Sequence, residues 1–136
     1  MKVRVLIVDD EPKIRSAWER LVARQPDMEL VGSLANADDL EQAAAEAGAD
    51  VALLDLTMPG RDPLEALAAM RDAKSECRVI VYSAHRDSAL VERSMEAGAW
   101  GFVDKLERLD AVLAAMRAVV EGETSIPSWF VAGRYS

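Results

Sequence analysis

Apolar residues along this chain follow two alternating periods. Val5-Leu6-Ile7-Val8, Val51-Ala52-Leu53-Leu54 and Val79-Ile80-Val81-Tyr82 are short uninterrupted runs, the pattern of strands buried on both faces. Between them, apolar positions recur every three or four residues, as on one face of a helix. Strands are predicted over 3–8, 28–33, 50–55, 78–83 and 99–103. The first helix begins at Pro12, presents Ile14, Ala17, Trp18, Leu21 and Val22 on one face, and ends before Pro26-Asp27. Asn36 or Asp38 caps a second helix that buries Leu40, Ala43, Ala44 and Ala47 and stops at Gly48. Leu64, Leu67 and Ala68 mark a third helix, Ser88 to Ala97 a fourth, stopped by Gly98. A fifth runs from Leu106 to Val120, with Leu109, Val112, Leu113, Met116, Val119 and Val120 on one side and Gly122 closing it. Five strands alternating with five helices predict an α/β sheet covered on both faces, with strand spacings long enough for βαβ crossovers.

The polar residues that end these runs are the chemically informative ones. The first run stops at Asp9-Asp10, the second at Asp55 and the third at Ser83, and Lys105 follows the apolar patch at Phe102-Val103. In a parallel sheet such strand ends share one edge, where ligands bind. Three carboxylates gathered there repel one another, so the pattern calls for a cation and an anionic ligand.

Composition narrows the picture. A chain of 136 residues with 51% hydrophobic residues is one domain with a real core. Its net charge of −8 argues against direct contact with nucleic acid or an anionic membrane. No apolar stretch approaches the roughly 20 residues of a membrane span, and Met1-Lys2-Val3-Arg4 runs into a strand with no signal-peptide core. The single cysteine, Cys77, excludes an internal disulfide and fits a reducing cytosol. A cytoplasmic location is expected.

Val8-Asp9-Asp10-Glu11, Leu54-Asp55-Leu56-Thr57-Met58-Pro59-Gly60, Tyr82-Ser83-Ala84 and Gly98-Ala99-Trp100-Gly101-Phe102-Val103-Asp104-Lys105 stand at four successive strand ends. In these motifs, across residues 3–121, the chain resembles the receiver domain of bacterial two-component response regulators. The resemblance implies a flavodoxin-like, doubly wound five-stranded parallel sheet of order 2-1-3-4-5. It implies Asp55 as phosphoacceptor from a sensor histidine kinase or phosphotransfer protein. Mg²⁺ would be held by Asp9, Asp10, Asp55 and the Thr57 backbone carbonyl, a donor set that suits it. Lys105 and Ser83 would bind phosphoryl oxygens beside the small Ala84, and Phe102 would be the aromatic switch, biasing the surface formed by the fourth helix, fifth strand and fifth helix. Thr57 and His85 stand at positions that tune aspartyl-phosphate lifetime; an exposed loop histidine is the alternative for His85, and no second His or Cys lies at zinc-ligand spacing. Phe102 also suits a plain core, Cys77 and Trp18 read as packing residues, and Trp100 is either core or part of a partner surface.

Receivers usually carry glycine where this chain has Pro63, which fixes φ and suits the first turn of a helix but reshapes the preceding loop. A phosphorylation-independent interaction module is therefore the alternative function. A phosphatase of the haloacid dehalogenase type needs Asp-x-Asp, whereas this chain has Asp55-Leu56-Thr57. No enzymatic turnover is expected beyond self-catalysed phosphotransfer and autodephosphorylation. The receiver is expected over residues 1–122, with 123–136 an extension carrying Pro127, Trp129, Phe130 and Tyr135. That tail either docks on a neighbouring subunit, giving a homodimer, or folds back. Lys105-Leu106 and the end of the last helix resemble regulators with a C-terminal helix-turn-helix, so the chain is either a stand-alone receiver or the N-terminal piece of a DNA-binding regulator.

Overall fold

A computed structural model describes residues 2–130. Five parallel strands, β1 (Val3–Val8), β2 (Met28–Leu34), β3 (Val51–Asp55), β4 (Arg78–Ser83) and β5 (Gly101–Asp104), pair in the order β2-β1-β3-β4-β5. The connecting helices are α1 (Pro12–Ala23), α2 (Leu40–Ala47), α3 (Pro63–Asp72) and α4 (Ser88–Glu96), and α5 (Leu109–Val120) follows the last strand. This is the α/β sheet covered on both faces that the alternating periods predict, in the doubly wound order that the resemblance implies. Alternate residues along each strand face opposite ways and feed two separate cores. Leu6, Val8, Leu54, Val79, Val81 and Phe102 pack with Leu40, Leu67, Met70 and Val91 from α2, α3 and α4. Val5, Ile7, Leu53, Ile80 and Tyr82 pack on the other face with Trp18, Val22, Val112, Met116 and Val119 from α1 and α5. Each large aliphatic side chain so buried contributes roughly 1.5–3 kcal/mol.

Several helix faces differ from the periodicity. Ile14 and Ala17 are exposed, and α1 buries mainly Trp18 and Val22. The second helix is preceded by Asp39, with no side-chain cap; Asn36 instead accepts from the Asp38 N–H, and Asp38 accepts from Arg61 N. The last helix starts at Leu109, three residues later than expected, and Leu106 and Leu109 point to solvent at 76% and 51% exposure. The Asp104 carboxylate draws the Leu106 N–H into a turn at 2.8 Å, which holds the backbone out of the helix there. The fifth strand likewise starts at Gly101, because Ala99 N is used to close α4 on Ser94 O. Gly48, Gly98 and Gly122 stand at helix ends as anticipated.

Pro63 is the buried first residue of α3, a position that has no intrahelical N–H bond to lose. Asp62 caps that helix by accepting from Leu64 N at 3.0 Å. Trp18 packs edge-on against Tyr82, and burial pushes the Cys77 thiol up to about 12, leaving it an unreactive packing group. Among the described residues, no helix is long and apolar enough to cross a membrane. Residues 124–130 fold back onto the domain, and Tyr135 lies outside the described residues.

Candidate functional site at the carboxyl edge of the sheet

Four strand ends share one local device. Asp9 Oδ1 accepts from Glu11 N at 2.9 Å, and Asp55 Oδ1 from Thr57 N at 3.0 Å. Ser83 Oγ accepts from His85 N at 3.1 Å, and Asp104 Oδ1 from Leu106 N at 2.8 Å. In each case a short polar side chain bonds the amide two residues on, turning the chain out of the strand. At Asp9 and Asp104 the turn uses one carboxylate oxygen and leaves the other for a different partner, whereas at Asp55 the turn-bonded Oδ1 also faces Lys105.

For Asp9 that second oxygen has no hydrogen-bond partner although it is buried; the nearest cation, Lys105 Nζ, stands 4.0 Å away. Lys105 Nζ lies closer to Asp55 Oδ1, at 3.3 Å, and 5.4 Å from the centroid of the Tyr82 ring. Asp9 and Asp55 are each 2% exposed, whereas Asp10 is open to solvent. One carboxylate oxygen from each of the three lies within 4.8 Å of the others. Burial pushes the Asp9 carboxyl above its ordinary range; the Glu11 N–H opposes that shift, Asp55 adds to it, Lys105 lowers it and Asp10 raises it further. The Tyr82 hydroxyl is pushed up by burial and then by Asp9, Asp55 and Asp104.

Asp9, Asp10, Asp55 and Lys105 thus meet in one place. Ser83 is buried one strand over and pairs in register with Asp104, and Lys105 N donates to Ser83 O at 2.8 Å. Thr57, Ala84 and His85 are exposed on the surrounding loops. Phe102 is a core residue at 1% exposure, against which Trp129 stacks edge-on. Trp100 is half-buried with the Arg78 guanidinium 4.2 Å above its ring.

The loop after Asp55 is tied to the start of α2. Arg61 pairs with Glu41 through both carboxylate oxygens, and its amide donates to Asp38 Oδ1 at 3.0 Å. Gly60 has φ +92, and a Cβ there would sit 2.8 Å from Asp38 Oδ1, so only glycine lets the loop pass. This bracing gives the segment leading to Pro63 a defined shape.

Sequence reasoning missed Asp104, Arg86 and Trp129. Asp104 is fully buried; Trp129 Nε1 donates to its Oδ2 at 2.9 Å, and Arg86 Nε stands 3.3 Å from the same oxygen. A carboxylate directly after the apolar run Phe102-Val103, still within the strand, was the available signal.

The 2-1-3-4-5 parallel sheet is the flavodoxin-like doubly wound arrangement, with a pocket of carboxylates at the carboxyl edge where such sheets bind ligands. The response regulator receiver domain matches residues 5–117, and the chain belongs to that family, whose setting is two-component signal transduction. The chain is 32% identical over 126 residues to the transcriptional regulatory protein LiaR of Bacillus subtilis, covering 93% of this chain and 60% of LiaR. It is 30% identical over 119 residues to the nitrate/nitrite response regulator NarL of Escherichia coli, covering 88% and 55%. The chain therefore spans a little over half the length of these relatives. A LuxR-family two-component response regulator from Aurantimonas superposes with a TM-score of 0.85 at 30% identity, over 92% of this chain and 89% of that one.

Proposed function

We propose that the chain is a phosphoryl-accepting switch that takes a phosphoryl group on Asp55 from a sensor histidine kinase or phosphotransfer protein. The observation that carries this reading is the Asp9 carboxylate, which holds one buried oxygen without a hydrogen-bond partner and is gathered with Asp10 and Asp55 beside Lys105. A buried carboxylate oxygen left without a donor is costly in a purely structural site and useful in one that binds a cation. Hard oxygen donors with room for water suit Mg²⁺, and Asp9, Asp10, Asp55 and the Thr57 carbonyl would hold it. A bound Mg²⁺ supplies positive charge against the repulsion between the carboxylates and an incoming phosphoryl group.

In the transfer, an Asp55 carboxylate oxygen forms a bond to phosphorus as the P–N bond of the donor phosphohistidine breaks. The electron pair leaves with the imidazole, which takes up a proton. Lys105, already 3.3 Å from Asp55 Oδ1, moves its charge to a phosphoryl oxygen. The Ser83 hydroxyl donates to another, with Ala84 leaving space, and Phe102 follows Ser83 to bias the α4–β5–α5 surface between two packings. Thr57 and His85, exposed at the rim, govern access of hydrolytic water. The chain is an acceptor with at most self-catalysed transfer and hydrolysis. The receiver runs to Gly122, with the extension beyond. That relatives matching over this stretch are transcriptional regulators supports an output in transcription, exerted in the cytoplasm through protein contacts rather than by this acidic chain touching DNA.

Incubation with acetyl phosphate and Mg²⁺ at neutral pH, followed by intact-mass measurement, should add one phosphoryl group. No adduct, or an equal adduct on Asp55→Asn, would overturn the reading.

A further inference from the structure

Strand β5 is an edge of the sheet, and the segment after α5 returns to cover it. Ser125 N donates to Trp100 O at 3.1 Å and Phe102 N donates to Ser125 O at 2.9 Å, so Ser125 runs parallel to Gly101. The approach is close: a Cβ on Gly101 would lie 3.1 Å from Ser125 O. Four residues further on, Trp129 stacks edge-on against Phe102 with ring centroids 6.1 Å apart, and its indole N–H reaches the buried Asp104.

The Asp104 carboxylate is held from three directions. One oxygen takes the Leu106 N–H next to Lys105. The other is shared by Trp129 from the tail and by Arg86 from the loop between Ser83 and α4. That loop is itself tied to the site, because His85 N donates to Ser83 Oγ and Asp87 caps α4 at Ala89 N. Two donors on a single oxygen compete in direction, so a displacement of either one changes the hold on the other.

We propose that Asp104 is the junction through which phosphorylation of Asp55 reaches the C-terminal segment: when Ser83 and its loop close on the phosphoryl group, Arg86 and Asp104 shift, Trp129 loses its acceptor, and residues 124–130 leave the β5 edge. The inference rests on the phosphoryl-accepting reading above. The segment is suited to release. Its backbone holds to the sheet at Ser125, while Trp129 and Phe130 are only half-buried and Ile126 is 44% exposed, as in elements that open locally. Because coupling is reciprocal, loosening the tail also favours the phosphorylated form of Asp55 at equilibrium. Phosphorylation would thereby bare the β5 edge at Gly101 and Phe102.

The test is hydrogen exchange measured by mass spectrometry on the full chain, with and without acetyl phosphate and Mg²⁺, alongside intact mass. Peptides covering 100–103 and 123–130 should exchange about tenfold faster once the adduct has formed, the scale of one lost hydrogen bond to a charged group. Trp129→Phe keeps a ring against Phe102 but lacks the donor. Unphosphorylated, it should already exchange several-fold faster over 123–130, and adduct formation should add little further exchange there, an effect of the order of that same hydrogen bond or less. A complete adduct with unchanged exchange in both peptides overturns the junction and leaves the phosphoryl-accepting reading standing. Absence of any adduct overturns that reading and the junction with it.

Discussion

Asp9 and Asp104 are the two informative carboxylates of this molecule, and they start from the same design. Each is buried at a strand end, and each spends one oxygen on the amide two residues ahead. They differ in the second oxygen. That of Asp104 is shared by an indole N–H and a guanidinium, whereas that of Asp9 has no hydrogen-bond donor, with Lys105 4.0 Å off and drawn nearer to Asp55. A satisfied buried charge organises the protein around itself; an unsatisfied one marks a candidate functional site. Burial and local turn chemistry alone do not separate the two roles. The partner of the outward oxygen does.

The contrast predicts stability changes of opposite sign. Asp104→Ala strips an acceptor from Leu106 N and Trp129 Nε1 and should lower stability by about 2–3 kcal/mol, read by urea denaturation. Asp9→Asn at neutral pH should instead stabilise the metal-free protein, by about 1 kcal/mol, since it removes an uncompensated charge. The pH dependence follows from the upward shift at Asp9. A carboxyl whose folded pKa lies above its unfolded value of 3.8 costs no stability while protonated in both states, and costs increasingly as pH rises through the folded value. The gain from Asp9→Asn should therefore be present at pH 7 and vanish near pH 4 and below. Adding Mg²⁺ should raise the thermal midpoint of the wild type and close the gap to the variant.

Smaller effects mark the boundary of the contrast. Pro63→Gly should cost about 1 kcal/mol, through greater freedom of the unfolded chain and lost burial, while leaving phosphoryl uptake intact. Glu41→Gln removes the partly exposed pair with Arg61 and should cost less than about 1 kcal/mol, measured by denaturation at low and high salt. The Arg61 hydrogen bond holds the Glu41 carboxyl below its usual range. That contribution is present above the unfolded value of 4.5 and fades as pH falls through the folded one.

Much of the fold was legible because its strands are continuous apolar runs that end abruptly in polar residues. Asp9, Asp10, Asp55 and Lys105 do converge, since a parallel sheet brings its carboxyl ends to one edge whatever the loops do. Helix faces were less legible. Ile14, Ala17 and Leu109 keep the period but lie where the helix has no neighbour to bury them, and periodicity carries no information about how far a neighbour extends. The start of α5 was misplaced because the Asp104 turn competes with the helix for the Leu106 amide. The Asp104 cluster joins residues 86, 104 and 129 over long sequence separations, and no local pattern announces such a meeting.

Under the proposed reading, the open carboxylate at Asp9, unlike the satisfied one at Asp104, belongs to a metal-assisted phosphoryl acceptor. The most direct measurement is the rate of phosphoryl uptake from acetyl phosphate in Mg²⁺ and in EDTA, followed by intact mass, for wild type, Asp9→Asn and Asp104→Asn. Wild type and Asp104→Asn should each gain one phosphoryl group in Mg²⁺, at comparable rates. Asp9→Asn should be slower by more than about tenfold, the scale expected for losing a group that sets metal affinity. Uptake by Asp9→Asn at the wild-type rate, or wild-type uptake equally fast in EDTA, would contradict the account.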